Sequence, residues 1–168
     1  MVMPRGMTQL NQIVRQLLNR EEVTNVEGYV RLESSQPILG WASQIDNTTH
    51  DPGFAVSKGG GASKLLVQSA ANVGNFKSSL AVVNLGEAAA TVDIVAHNVQ
   101  GTVQGELRGQ VIPPRGFISV ANILEKLGTV NGFGPVEIVS TNGQPLLAAS
   151  RVYSLSRTSG FFEAQALE

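Results

Sequence analysis

The chain has 168 residues, of which 42% are hydrophobic and only 15% are charged, and its 12 basic and 13 acidic residues leave a formal net charge of −1. This balance excludes an intrinsically disordered chain and a basic surface for nucleic acid. Cysteine is absent, which excludes disulfides and thiolate metal sites, and no apolar run approaches the ~20 residues needed for membrane insertion.

The first predicted element is a short helix after a Pro-Arg-Gly turn at residues 4–6, and the same combination recurs at residues 114–116. The spacing i, i+3, i+4, i+7 places four apolar residues on one face of each helix. These residues are Leu10, Ile13, Val14 and Leu17 in the first copy, and Val120, Ile123, Leu124 and Leu127 in the second. We expect Thr8 and Ser119 to cap the helices and Gly128 to end the second one.

A predicted hairpin follows each helix. The phrase "GYVRLESSQPILGWAS" at 28–43 matches "GPVEIVSTNGQPLLAAS" at 134–150, and the two share a Gln-Pro pair at the turn. Alternation of apolar and charged residues in the first half of the earlier phrase indicates a half-buried strand. Asn142-Gly143 is a strong hairpin signal. Each copy closes on Gly-Phe, at 53–54 and 160–161, so we interpret the chain as carrying one module twice.

Four further strands are predicted between the copies, after a Gly-rich linker at 57–64. They span residues 65–71, 78–85, 89–97 and 105–112, and we expect the second and third to form a hairpin across Gly86-Glu87. A complete repeat therefore occupies residues 65–168, and a partial repeat of helix plus hairpin occupies 1–56. The fold class that this pattern predicts is mainly β, an antiparallel, Ig-like β-sandwich with one short helix per repeat.

The partial repeat raises a packing question, because a helix and a hairpin cannot bury an apolar face alone. One solution folds both modules around the four central strands as one merged domain. The other is a homodimer in which the partial repeat completes a neighbouring chain. We favour the merged domain, because the linker is long enough for the partial repeat to fold back.

These pieces resemble the tandem β-sandwich repeat modules of bacterial secreted and cell-surface proteins. The resemblance rests on turn and strand patterns, namely "LAVVNL" at 80–85, "PPRG" at 113–116, "GYVRLESSQPILG" at 28–40 and "DNTTHDPGF" at 46–54. The second copy has lost the Asp and Asn residues of the last phrase. The resemblance implies an extracellular or cell-surface location and a structural role among neighbouring repeats or other proteins, and it implies no chemistry.

One loop of the sequence concentrates oxygen ligands. Asp46, Asn47 and Asp51 are ligand types that calcium prefers, but the same residue types form turns for local backbone reasons. We favour the turn, with no metal and no cofactor. His50 lies in this loop and His97 ends a predicted strand, and neither has a second His at a metal-binding spacing.

No catalytic motif supports an enzyme, since the sequence contains no Gly-x-Ser-x-Gly elbow. A small hydrolase is therefore the weakest of the three hypotheses. The second is a carbohydrate-binding module, with Trp41 and Tyr29 as ligand-facing aromatics. For Trp41 we favour a place in the core over this role, because its strand is apolar on both faces. We expect Arg5 and Arg115 to fix their turns by hydrogen bonds to carbonyls.

Overall fold

The computed structural model describes residues 2–20, 26–45, 52–154 and 158–167, and in this part the protein is mainly β, as predicted. All strand pairs are antiparallel. The elements in chain order are α1 (Ile13–Leu18), β1 (Trp41–Ile45), β2 (Pro52–Val56), β3 (Lys64–Val73), β4 (Phe76–Asn84), β5 (Ala90–His97), β6 (Val103–Ile112), β7 (Phe117–Val120), α2 (Ile123–Lys126), β8 (Gly132–Ser140), β9 (Leu146–Ser154), β10 (Ser159–Glu163) and β11 (Gln165–Ala166).

The strands after the linker form one nine-stranded sheet that divides at the β3–β4 hairpin. β3 and β4 share only the pairs Asn72–Lys77 and Val73–Phe76 near the turn. Beyond these pairs, β4 lies between β7 and β9, and β10 pairs with β9. β3 lies between β11 and β8, and the order continues through β5 to β6. The hairpin thus joins two groups of strands with different neighbours.

One hydrophobic core is shared by the two groups of strands. Val67, Ile94 and Val136 come from the group of β3, whereas Leu80 and Leu146 come from the group of β4, and each is at most 1% exposed. Burial alternates along most of β4 and β8, as expected for strands with one face on the core. Ile123, Leu124 and Leu127 of the α2 segment complete this core.

Two of the predicted hairpins are wrong. Across Gly86, β4 and β5 belong to different groups of strands. Across Asn142-Gly143, β8 pairs with β3 and β5, whereas β9 pairs with β4 and β10. The connection from β4 to β5 is bonded by Asn84, a fully buried residue at the end of β4. Its Nδ2 donates to the carbonyl oxygens of Ile112 at 3.1 Å and Pro113 at 3.0 Å, and its Oδ1 accepts from the Gly86 N–H at 2.9 Å. The chain therefore crosses between the groups instead of returning beside β4.

Both helices begin later than predicted. Their N-cap residues are Gln12 and Asn122, with φ of 52° and 49° and no side-chain cap hydrogen bond. Thr8 lies before this point, and Ser119 belongs to β7, so neither is the N-cap residue. Gly128 has φ of +86° and follows the end of α2, as expected for a glycine that terminates a helix.

The described residues of the partial repeat contribute no buried side chain. Residues 26–40 contain no strand, although the sequence predicts one there, and Val30, Leu32 and Ile38 are 48%, 50% and 50% exposed. Among the strands of the described residues, β1 and β2 pair only with each other. The merged core that we favoured is therefore not formed by the described part of the chain, because the central strands already carry the second module.

Candidate functional site

The two modules share their local geometry although their burial differs. The Gly6 N–H donates to the carbonyl of Met3 at 2.8 Å, and the Gly116 N–H donates to the carbonyl of Pro113 at 2.9 Å. Arg5 and Arg115, in the middle of these turns, have φ of 59° and 54°. The helix N-caps also match, and α1 and α2 begin at the equivalent residues Ile13 and Ile123.

The strand pairs at the end of each module have the same register. Ser43 pairs with Phe54 in the partial repeat, and its counterpart Arg151 pairs with Phe161. The neighbouring pairs Gln44–Gly53 and Val152–Gly160 agree in the same way. A slip of one residue would exchange the two faces of a strand, so this agreement shows that the hairpins present equivalent faces.

Trp41 is on the surface, and the interpretation that placed it in the core is wrong. Its ring stacks on Phe54 with centroids 5.8 Å apart and an interplanar angle of 28°, and the two residues are 52% and 61% exposed. They lie diagonally across the β1–β2 pair, on one face of this two-stranded sheet. Together they form an exposed aromatic surface, which we call the aromatic pair.

Tyr29 has a different environment from the aromatic pair. Its Oη donates to the carbonyl oxygen of Arg115 at 2.6 Å, and its ring meets Phe117 edge-on at 6.3 Å. Tyr29 therefore links the partial repeat to the Pro-Arg-Gly turn of the second module. A tyrosine whose hydroxyl is bonded to the protein in this way is a structural contact as well as an exposed ring.

The Arg115 guanidinium does not bond carbonyls as expected, but pairs with the carboxylate of Glu87 through Nε at 3.0 Å and through Nη2. The backbone N–H of Arg115 donates to the Gly86 carbonyl at 3.2 Å. The turn is thus held by its backbone and by an ion pair. No pattern in the sequence indicates Glu87 as the partner, because the two residues meet only where their loops converge.

Two carboxylates on the strands are ionised and paired. Lys64 donates to Glu137 at 2.9 Å and lowers the pKa of this carboxyl, and His97 lies 3.5 Å from its other oxygen. The Gly109 N–H at 2.8 Å and Arg108 at 2.9 Å lower the pKa of Asp93. A general acid at neutral pH needs a raised pKa, so these groups act as structural ion pairs across the strands.

His97 is also engaged on both sides of its ring. Nδ1 lies 3.2 Å from the Gly101 carbonyl oxygen, and Nε2 faces Glu137. Neither partner is a hydroxyl group that could serve as a nucleophile. The contacts of His97 therefore stabilise the end of β5 and the turn that follows it.

The predicted calcium ligands Asp46, Asn47 and Asp51, together with His50, lie outside the described residues. Within the described residues, no group of three or more His, Asp or Glu side chains is placed to hold a metal ion. Comparisons of the chain with models of protein families, with curated proteins and with solved structures gave no match. A transmembrane helix needs about 20 residues, and no helix in the part that the structure describes reaches this length.

Proposed function

We propose that this protein is a non-enzymatic structural and interaction module of a bacterial secreted or cell-surface repeat protein. The observation that carries the proposal is the shared register of β1–β2 and β9–β10, which indicates that one module has been used twice. Repeated modules with equivalent faces pack against neighbours in extended arrays. The resemblance of the sequence to extracellular bacterial repeats supports the location.

The proposed architecture is an Ig-like β-sandwich. Two groups of strands joined at the β3–β4 hairpin share one core, which supports a packing of one layer on the other. The small α2 segment contributes Ile123 and Leu124 to this core. Paired carboxylates and bonded amides between the strands favour a rigid unit that serves as a scaffold.

Digestion of intact cells of the native host tests the location and the role together. An antibody raised against residues 57–168 should lose its signal when trypsin is added outside the cells, because an extracellular module is accessible to the protease. The control is an antibody against a cytoplasmic protein, whose signal should persist until lysis. Survival of the signal for residues 57–168 in intact cells would contradict the proposal.

A carbohydrate-binding role is the second candidate, and the aromatic pair is the observation that favours it. The stacked rings of Trp41 and Phe54 offer an exposed apolar surface of the kind that packs against a sugar ring. A glycan array should then give a signal that Trp41→Ala removes and Tyr29→Phe retains. Absence of binding by the unaltered protein, or equal binding by Trp41→Ala, would rule out this candidate.

A further inference from the structure

We infer that the partial repeat is built to dock on a second set of strands with the pattern of residues 64–112, carried by a polypeptide stretch that has no helix–hairpin module of its own. The inference deepens the proposed function, on which it rests, by naming the partner. The inference concerns five apolar residues of the partial repeat that are each exposed, and we call them together the partial-repeat surface: Val14, Leu17, Val30, Leu32 and Ile38.

The secondary structure that the partial repeat retains needs no partner. Its Pro-Arg-Gly turn, its helix start and the β1–β2 pair are all closed by contacts within residues 2–56. Each of these features has the same geometry in the second module. The local fold is therefore present in both copies.

The secondary structure that the partial repeat lacks is the part that depends on the central strands. β8 pairs with β3 and β5, and its counterpart at residues 28–34 is not a strand. β7 pairs with β4, and its counterpart at residues 7–10 is not a strand either. The first residues of β9 pair with β4, whereas residues 38–40 are unpaired with any strand. What is missing is thus a second copy of β3, β4 and β5.

Side-chain burial also indicates that a set of central strands is what the partial repeat lacks. The residues equivalent to the partial-repeat surface are all in the core, where the central strands cover them. The equivalent pairs are Val14–Leu124, Leu17–Leu127, Val30–Val136, Leu32–Ile138 and Ile38–Leu146. Each position is thus apolar in both modules, although the side chains of the partial repeat are exposed. The partner that fits them is a set of strands like the central strands, which bury their counterparts.

The central strands of this chain, or of a second copy, do not meet this need. β3, β4 and β5 are already paired with β7, β8 and β9. Each copy of the chain brings two modules and one set of central strands, so exchange between copies leaves one module uncovered. The partner must therefore supply strands that are not already occupied.

A chain extended at its N-terminal end supplies such strands and tests the inference. A second copy of residues 57–112 is joined directly to Met3, so that Ile112 of the added copy precedes Met3 as Ile112 precedes Pro113 in the second module. We expect hydrogen–deuterium exchange at residues 28–34 and 38–40 to slow at least tenfold relative to the unextended chain. Peptides from these residues are distinguishable, because the sequences of the two modules differ.

Two variants of the extended chain serve as controls. Leu80→Asp with Ile94→Asp in the added copy alone should abolish the slowing, and so should Val30→Asp with Leu32→Asp in the partial repeat. Exchange at residues 132–140 should stay unchanged throughout. Equal exchange at residues 28–34 with and without the added strands would overturn the inference.

Light scattering on the unextended chain tests the alternative that a second copy of the chain covers the partial-repeat surface. We expect a monomer; a dimer with slow exchange at residues 28–34 would show that two partial-repeat surfaces cover each other and would overturn the inference. Neither failure affects the protease experiment on intact cells, which tests the proposed function alone.

Discussion

Asn84 shows how a single buried amide directs the path of the chain. It is fully buried, and its Nδ2 donates to the carbonyls of Ala88, Ile112 and Pro113 at 2.8, 3.1 and 3.0 Å. Ala88 and Pro113 lie in two loops that connect the groups of strands, and Ile112 is the last residue of β6. A buried carbonyl without a donor is costly, so the amide stabilises the crossing of the chain.

Asn84→Ala should lower the free energy of unfolding by about 2–3 kcal/mol, because it leaves buried carbonyls without a donor. The matched control is Asn142→Ala. Asn142 donates to the Ala89 carbonyl and accepts from the Thr91 N–H, but it is exposed and water can replace both bonds. We expect a loss below about 1 kcal/mol there. Urea unfolding of both variants measures the difference, and equal losses would contradict the role of burial.

Glu137 should make the stability depend on pH. Lys64 lowers its pKa in the folded protein, so its contribution is present above the ordinary value of 4.5 and is lost as the pH falls through the lower folded value. Glu137→Gln should remove this part of the acid sensitivity and cost up to about 1 kcal/mol at pH 7. Urea unfolding between pH 7 and about pH 3 measures it, and an unchanged pH profile in Glu137→Gln would refute the assignment.

At the scale of elements, α2 is held against β6 by a close approach of backbone. A Cβ at Gly105 would overlap the carbonyl oxygen of Leu127, just after α2. Leu127 and its neighbour Leu124 are buried in the core. The absence of a side chain at Gly105 therefore allows the C-terminal end of α2 to pack directly against β6.

Gly105→Ala should destabilise the fold by about 1–3 kcal/mol, because the backbone of α2 must move away from β6. Gly59→Ala is the matched control, since a Cβ there meets no atom within 4 Å. We expect this control to change stability by less than about 0.5 kcal/mol. Thermal unfolding followed by circular dichroism distinguishes the two, and a neutral Gly105→Ala would show that α2 is not packed in this way.

At the scale of the whole molecule, stability resides in residues 62–164. Every core residue and every partly buried apolar residue packed against the core lies within this range in the described part of the chain. The contacts that tie the described residues of the partial repeat to it include the hydrogen bond from Tyr29, the edge-on contact of its ring with Phe117, and the bond from the Val56 N–H to Glu163 at 3.4 Å. The two modules should therefore respond unequally to equivalent substitutions.

Ile138→Ala should cost about 2–5 kcal/mol, because it opens a cavity in the core at a fully buried position. Leu32→Ala, at the equivalent position of the partial repeat, should change stability by less than about 1 kcal/mol, because Leu32 is half exposed. Urea unfolding measures both. A loss from Leu32→Ala as large as that from Ile138→Ala would show that the partial repeat is part of the folding unit.

The sequence by itself determined the features that depend on neighbours along the chain. Apolar segments between turn residues located β3 to β6, and Gly128 located the end of α2. The Asn142-Gly143 turn marked the boundary between β8 and β9, but not the strands with which each of them pairs. The equivalence of the two modules was also readable, since turn residues and apolar spacing are local properties. These patterns work because hydrogen bonding and side-chain direction within an element follow from residue spacing.

The tertiary structure alone decided which strands meet and which apolar residues are covered. The sequence placed β4 beside β5, but β5 pairs with β8 and β6 in the other group of strands, and the buried amide of Asn84 bonds the crossing. It placed Trp41 in the core, but in the part of the chain that the structure describes β1 pairs only with β2, and Trp41 is half exposed. It also predicted that Val30 and Val136 occupy equivalent strand positions, whereas only Val136 is buried. Strand pairing and burial are non-local, so identical local patterns reach different states according to whether a partner sheet is free.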